Sequence, residues 1–390
     1  FFGRSVGREE LEKTGLKVGK SVFRKFGGNP TISYAEHPYT KGKIGTFDVE
    51  IVPAYKISST KNLISAVDRT PFHTRYVLKN LKNNDEVRLL KKYLKGLGIY
   101  GSNLRTGGFS GYLCELLIIR YGTFFNTLQQ AKKLRYQEII DMENSYTKKE
   151  YLAVTAKFRN QPLIFIDPID RNRNVAAVLS KENLAKFIFF ASKFIDNPSL
   201  NYFYPLEKQK ERRQVLRKAQ QRGIHYIALT IPRPDLIDDV LYPQLRRFLK
   251  RVSDYLAREG FIICFSWEFA DNDCGVAFEL MSSTLPRFRK MLGPSIFDPK
   301  KNTDNFLKKY KAVWFEEDRM VSYVRRTHFD IVSHLMNFLD ESEKTLKEKG
   351  VPNNIASSVK KGYSLVERKD LLDIDSKEFW NGLDRCGLNI

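Results

Sequence analysis

Cysteine is scarce in this chain. The four present, Cys114, Cys264, Cys274 and Cys386, are widely scattered, with no CxxC pair and no histidine at zinc-ligand spacing. That removes a zinc module and fits a reduced, cytoplasmic compartment. Long hydrophobic runs are missing too: no stretch of 18 apolar residues occurs, so nothing is expected to span a membrane. The opening FFGRSVGREELEK is too short and too soon charged for a signal peptide. No P-loop, GxGxxG or GxSxG is present, which takes support from P-loop ATPase, Rossmann and serine-hydrolase chemistry. Acid is also in deficit: 45 Asp and Glu stand against 66 Lys and Arg, a formal net charge of +21.

What is present points to a folded, multidomain chain. At 390 residues with 42% hydrophobic and 13% aromatic content, two or three domains with real cores are expected. The excess positive charge suits a solvated basic surface, an acidic membrane surface or a nucleic acid. Its clustering among aromatics favours nucleic acid. Residues 205–222 hold seven Lys/Arg against two Glu. Arg246, Arg247, Lys250 and Arg251 make a second patch; others lie at Arg287, Arg289 and Lys290, at Lys308, Lys309 and Lys311, and at Arg325 and Arg326.

The periodicity predicts an α+β chain in three parts, 1–80, 81–200 and 201–390. In the first, an amphipathic helix over 8–26 ends at Gly27-Gly28, and short strands follow around 31–35 and 46–55, the second ending at Pro53. Helices are expected over 60–66 and 70–80, the second opened by Thr70-Pro71. The second part is mostly helical: a helix from Asp85 closed by Gly98, one capped by Ser110, and others over 123–142 and 181–196, with a strand at 162–167. The third opens with strand 225–232, a basic helix over 238–259, and strands at 261–269 and 274–282. That order is a split βαβ unit, an architecture frequent in RNA binding. No glycine-aromatic RNP pattern sits in it. Helix is expected over 285–292 and again over 303–349, and the tail from 350 reads as irregular.

The chemistry concentrates between Tyr34 and Leu117. Asp48 and Glu50, two apart on a strand, share one face, with Val49 and Ile51 on the other. Paired carboxylates of this kind suit metal coordination for attack on an α-phosphate. The plainer alternative is an edge strand with a solvated face. His37 follows a strand in AEHPY, and His73 lies one turn into TPFH; each is a phosphate contact or a structural group. Lys91 borders an apolar helix face beside Lys92 and Lys95. Tyr100 sits between glycines, and Ser110 starts a helix whose free N–H groups suit an anion. Arg173, ahead of a helix in DPIDRNRNVAA, is a phosphate ligand or an ordinary loop arginine. Gly101-Ser102-Asn103-Leu104-Arg105 and the pairs Asp271/Asp273 and Asp373/Asp375 match loose nucleotidyltransferase patterns but lack their context, and are read as chance.

The ordered set AEHPY, VPAYK, SAVDRTPFH, EVRLLK, GIYG, GFSGYLCELL, DPIDRNRNVAA and LYPQL resembles the archaeal class I CCA-adding enzymes, the tRNA nucleotidyltransferases. The resemblance runs from about residue 8 to beyond 330. It implies a polymerase-beta-like catalytic head, a central domain like those of poly(A) polymerase and oligoadenylate synthetase, and RNA-gripping body and tail modules. It implies template-free addition of C, C and A to tRNA 3′ ends from CTP and ATP, with Mg²⁺ as cofactor. By position, Glu50 matches the third catalytic carboxylate; Glu in place of the family's Asp is a departure, with Asp48 as the fallback. His37, Thr70, His73, Lys91, Tyr100 and Arg173 match positions that contact the incoming nucleotide. Arg212, Arg213, Arg217, Arg246, Arg247, Lys250 and Arg251 are expected to hold the tRNA acceptor arm, and a homodimer is compatible with all of this.

The family's Gly-Ser turn and paired acidic strand would precede Phe1. On that expectation, the 390 residues bind tRNA but transfer no nucleotide by themselves. Two rivals stand beside this reading: an adenylate-polymerising relative that ignores CTP, and a non-catalytic RNA-binding protein.

Overall fold

A computed structural model describes residues 1–34, 36–60, 63–204 and 211–384, and divides into two compact units, residues 1–206 and 207–390. Cys386, the start of the basic run at 205–222 and part of the helix expected over 60–66 lie outside the described residues. The fold is mixed α+β.

In the first unit, α1 (Arg8–Lys25) buries Leu11, Gly15, Gly19 and Phe23, one residue per turn along a single stripe. The stripe packs on an antiparallel sheet, β1 (Asn29–Tyr34), β2 (Pro38–Ile44) and β3 (Phe47–Ile51), in that spatial order. The approach is close. A Cβ at Gly19 would lie 2.0 Å from Thr40 Oγ1, and one at Gly15 2.7 Å from Pro53 Cβ. The central strand β2 is absent from the sequence reading, because PYTKGKI mixes lysines and glycine with few apolar positions. β3 stops at Ile51, just short of the expected end at Pro53, which has no N–H to continue the ladder. Beyond it, Asp68 is fully buried and accepts from the backbone N–H groups of Tyr55, Ile64 and Ser65. This folds 64–68 into a tight capping turn, and a 3-10 turn, Ala66–Arg69, stands where the end of the 60–66 helix was expected.

The rest of this unit is α2 (Thr70–Asn80), α3 (Asn84–Gly96), α4 (Gly111–Tyr121), α5 (Phe124–Ala131), β4 (Glu138–Ile140), α6 (Tyr151–Lys157), β5 (Leu163–Asp167), β6 (Asp170–Asn174) and α7 (Lys181–Asp196). The helix expected over 123–142 ends at Ala131. Gln137 takes a positive φ of 59°, and β4 then pairs in parallel with the wholly buried β5. Leu90, Leu94, Ile99, Phe109, Leu113, Leu128, Phe165 and Phe187 form the core of this helical layer.

In the second unit, α8 (Arg212–Gln220) precedes β7 (His225–Ile231), α9 (Asp238–Glu259), β8 (Ile263–Ala270) and β9 (Cys274–Leu280). β7 and β8 each pair antiparallel with β9 between them, and are therefore parallel to each other; α9 makes the crossover, which is the expected split βαβ unit. Leu241, Leu245, Phe248, Val252 and Leu256 bury one face of α9.

Three expectations fail beyond this point. Residues 285–292 are not helical: β10 (Phe288–Ser295) is a strand, because Phe288–Leu292 pairs antiparallel with β12. The stretch 303–349 is not one helix but α10 (Lys300–Lys309), the hairpin β11 (Val313–Glu316) and β12 (Arg319–Arg325), α11 (Ile331–Leu339) and α12 (Glu343–Glu348). Glu317, at φ 52°, turns the hairpin. Nor is the tail irregular. It forms α13 (Asn353–Lys361), β13 (Ser364–Glu367), which pairs with β7, and α14 (Lys377–Leu383), whose Phe379, Trp380 and Leu383 are buried with Trp267 and Phe269. The two acidic lookalikes meet here: Asp375 N–H donates to Asp273 at 2.7 Å and Glu378 N–H to Asp271 at 3.1 Å. They tie the tail to the β8–β9 turn.

Candidate nucleotide site

Within the first unit, a cluster of polar side chains forms around the N-terminus of α4. Its geometry starts in the loop before the helix. Tyr100 and Phe109 form a parallel bridge, with Gly101 N–H donating to Phe109 O and Phe109 N–H to Ile99 O, both at 2.9 Å. A Cβ on Gly108 would lie 2.1 Å from Ile99 O, so only glycine allows this approach. Ser110 then caps the helix by accepting from Leu113 N–H at 3.0 Å.

Lys91 of α3 reaches the same place. A Cβ at Gly111 would stand 3.4 Å from the Tyr100 hydroxyl and 3.5 Å from Lys91 Nζ, so an ammonium, a phenol and a helix N-terminus face one small space. Glu115, one turn on, holds Lys91 at 3.0 Å. Burial raises the Tyr100 pKa, against the pull of Lys91, so the phenol stays a neutral donor.

The next residue, Tyr112, joins this space to a buried carboxylate. Asp167, the last residue of β5, is fully buried. Its Oδ2 accepts from His73 Nε2 at 2.9 Å and from Arg173 Nη1 at 2.8 Å, and its Oδ1 from Tyr112 OH at 3.3 Å and Ile169 N–H at 3.1 Å. The His73 ring lies against Tyr112, centroids 4.0 Å apart. Burial alone would raise the Asp167 pKa, but His73 and Arg173 outweigh it and hold the carboxyl below its ordinary range. Burial, with the Asp167 charge beside it, pushes the Tyr112 phenol up.

Four of the residues singled out in the sequence therefore lie around the first turn of α4: Lys91, Tyr100, His73 and Arg173. Arg173 sits in strand β6, not in a loop before a helix, because the β5–β6 hairpin folds it back onto Asp167. Thr70 is exposed at the start of α2, one turn before His73. His37 is elsewhere: it is buried, with Nδ1 3.3 Å from Glu12 of α1 and no hydrogen-bond partner on Nε2.

Asp48 and Glu50 share the solvent face of β3, the edge strand of the described sheet, opposite Lys43 and Lys41. Lys41 Nζ lies 2.8 Å from Glu50. These hard oxygen donors suit Mg²⁺ chemically, but among the described residues no group of three or more His, Cys, Asp or Glu side chains could hold a metal. The pair can supply only part of a coordination shell.

Sequence reading missed Asp167, Tyr112 and Glu115. Asp167 had a signal, as an acid closing the apolar run LIFID; Glu115 had another, as a lone charge inside an apolar helix, which needs a partner.

In the second unit, Arg213 and Arg217 are exposed on α8, whose Val215, Leu216 and Ala219 face inward. Arg212 pairs with Asp375 at 2.8 Å. On α9, Arg246, Arg247, Lys250 and Arg251 occupy the exposed face; Arg246 meets Glu268 at 2.8 Å and Lys250 meets Asp254 at 2.9 Å. Among the described residues no helix is long and apolar enough to cross a membrane.

Residues 85–204 match the family described as tRNA nucleotidyltransferase, second domain, and residues 222–368 match CCA-adding enzyme, C-terminal domain. The chain is 39% identical to a CCA-adding enzyme of Methanocaldococcus jannaschii over 85% of this chain and 74% of the relative. It is 35% identical to one of Methanothermobacter thermautotrophicus, covering 98% and 82%, and 34% identical to one of Archaeoglobus fulgidus, covering 95% and 82%. A chain in the solved structure of the E. coli MS115-1 CdnC:HORMA-deltaN complex is 15% identical with a TM-score of 0.33, covering 50% of this chain and 69% of that one; nothing further rests on that likeness. The chain belongs to the CCA-adding enzymes, a family of tRNA nucleotidyltransferases.

Proposed function

We propose that this protein builds or repairs the 3′-terminal CCA of tRNA from CTP and ATP, without a nucleic-acid template, in a reduced, cytoplasmic compartment. The observation that carries the proposal is the convergence of Lys91, Tyr100, His73 and Arg173 at the N-terminus of α4. Two permanent cations, a neutral phenol and free helix N–H groups form a receptor for a triphosphate. Lys91 and Arg173 neutralise its charge, Tyr100 donates a hydrogen bond, and Asp167 fixes Arg173 and His73 in place before substrate arrives. Thr70 and His37 are assigned to the same nucleotide by family position. Residues 1–80 then belong to the catalytic head, 81–200 to the central domain and 201–390 to the RNA-binding body and tail.

The 3′-hydroxyl of the tRNA attacks the α-phosphate and pyrophosphate leaves. Glu50 and Asp48 would hold part of a Mg²⁺ shell, with Lys41 displaced from Glu50; the ion would supply charge neutralisation and a more acidic 3′-hydroxyl. Two carboxylates fall short of a two-metal site. Further oxygen donors, among them the phosphates of the substrate, would complete the shell. Arg212, Arg213, Arg217, Arg246, Arg247, Lys250 and Arg251 grip the acceptor arm by its backbone, as suits an enzyme that accepts every tRNA.

Titration of CTP and ATP against the wild-type chain and Arg173→Gln tests the site. Binding of both nucleotides by the wild type, weakened in the variant, is expected; binding of ATP alone would favour an adenylate polymerase.

A further inference from the structure

The sequence places Arg287 and the pair Arg325–Arg326 in separate basic patches, and the fold joins them. Phe288 pairs with Arg325 at the end of the β10–β12 ladder, and Arg326 N–H donates to Arg287 O at 2.8 Å just beyond it. Leu285 N–H reaches Phe329 O at 2.6 Å and closes the same end. The result is a cavity of about 510 Å³ lined by Arg287, Arg325, Arg326, Thr327 and Phe329. Three guanidinium groups line it and, among the described residues, no carboxylate does.

Its floor is built rather than incidental. The Arg326 side chain is only 12% exposed. Its Nη1 donates to Glu259 O at 2.7 Å, at the C-terminal end of α9, where carbonyl oxygens lack helical partners. Its Nε is buried with no hydrogen-bond partner. Glu259 makes long ion pairs with both Arg326, at 3.9 Å, and Arg289, at 4.0 Å. Arg325 makes no ion pair among the described residues. Arg287 lies over the Phe329 ring at 5.7 Å, so an apolar wall stands beside the charge.

Three converging guanidiniums have among the described residues one carboxylate within 4 Å, Glu259 at 3.9 Å from Arg326, which is shared with Arg289; the excess charge favours a joining anion, and planar forked donors match a phosphodiester. We propose that this cavity seats a backbone phosphate of the tRNA, with the attached ribose or base against Phe329. It is a subsite of the second unit, separate from the triphosphate site of the first. The inference rests on the tRNA reading given above.

The test measures tRNA affinity at several salt concentrations for the full chain and for Arg287→Gln/Arg325→Gln. Both side chains are exposed, so the fold is expected to survive, and a thermal melt checks it. The double variant should lose roughly tenfold in affinity at low salt, and its salt slope should fall by about one. Its CTP affinity should not change. Arg287→Lys/Arg325→Lys should restore the slope, whereas a control with the same charge loss, Lys344→Gln/Lys361→Gln, should stay within about twofold. A double variant with wild-type affinity and slope, or one no weaker than the control, overturns the subsite alone. Failure of the wild-type chain to hold tRNA would overturn the functional reading and the subsite with it.

Discussion

Replacing Asp167 by Asn keeps the shape of the buried side chain and removes its charge. In the wild type, Oδ2 accepts from His73 and Arg173, and Oδ1 accepts from two neutral donors, Tyr112 OH and Ile169 N–H. The Asn amide cannot accept on both sides; its NH₂ must face either the His73 and Arg173 donors or the Tyr112 and Ile169 donors. A hydrogen bond to a charged group contributes about 1.5–3 kcal/mol, and breaking a buried pair costs about 3–5 kcal/mol. The expected loss is therefore about 3–5 kcal/mol in the first unit. At about 2–4 °C per kcal/mol for a unit of this size, its melting transition should fall by roughly 6–20 °C. Nucleotide binding should weaken roughly tenfold to a hundredfold, since Arg173 and His73 lose the group that aims them.

The same variant tests a pH dependence. The folded Asp167 pKa lies below its ordinary value of 3.8. Its ion pairs thus stabilise the fold fully above the ordinary carboxylate range, and that stability is lost as pH falls through the lower folded value. The wild type should show this acid loss and Asp167→Asn should lack it. A variant that melts within about 2 °C of the wild type and binds CTP equally well would refute the positioning role.

Other substitutions probe the neighbouring parts. Lys91→Ala should raise the Kd for CTP and ATP about tenfold or more and leave tRNA affinity nearly intact; loss of tRNA affinity by filter binding would contradict the assignment. Gly108→Ala should destabilise the first unit by about 1–3 kcal/mol in a thermal melt, because its Cβ would collide with Ile99 O. Binding of tRNA should weaken steeply with salt, as log K against log [salt], since backbone contacts carry it.

The sequence made α1, α2, α3, α7 and the split βαβ unit legible, because their apolar periodicity, caps and turns agree. It concealed β2 and β10, whose lysines, arginines and glycines leave no clear apolar alternation. Their strand state comes from pairing with partners distant in the chain, which no local pattern carries. The tail was misread for a similar reason: α14 is short, and its burial depends on Trp267 and Phe269, more than a hundred positions away. At the site, Lys91 and Tyr100 could be picked out from a glycine-bounded helix start. Asp167 showed only as an acid closing an apolar strand; its role was hidden, since its partners come from α2, α4 and β6, and only the hairpin that returns Arg173 brings them together. The carboxylates of β3 show the opposite case. Their shared face was legible, and the structure adds that Lys41 already occupies one of them.

Incorporation of labelled CTP and ATP into tRNA lacking its CCA end, with Mg²⁺, tests the central claim most directly. The account predicts addition of C, C, then A, with arrest after the A. Incorporation of A alone, or no incorporation of CTP, would contradict it.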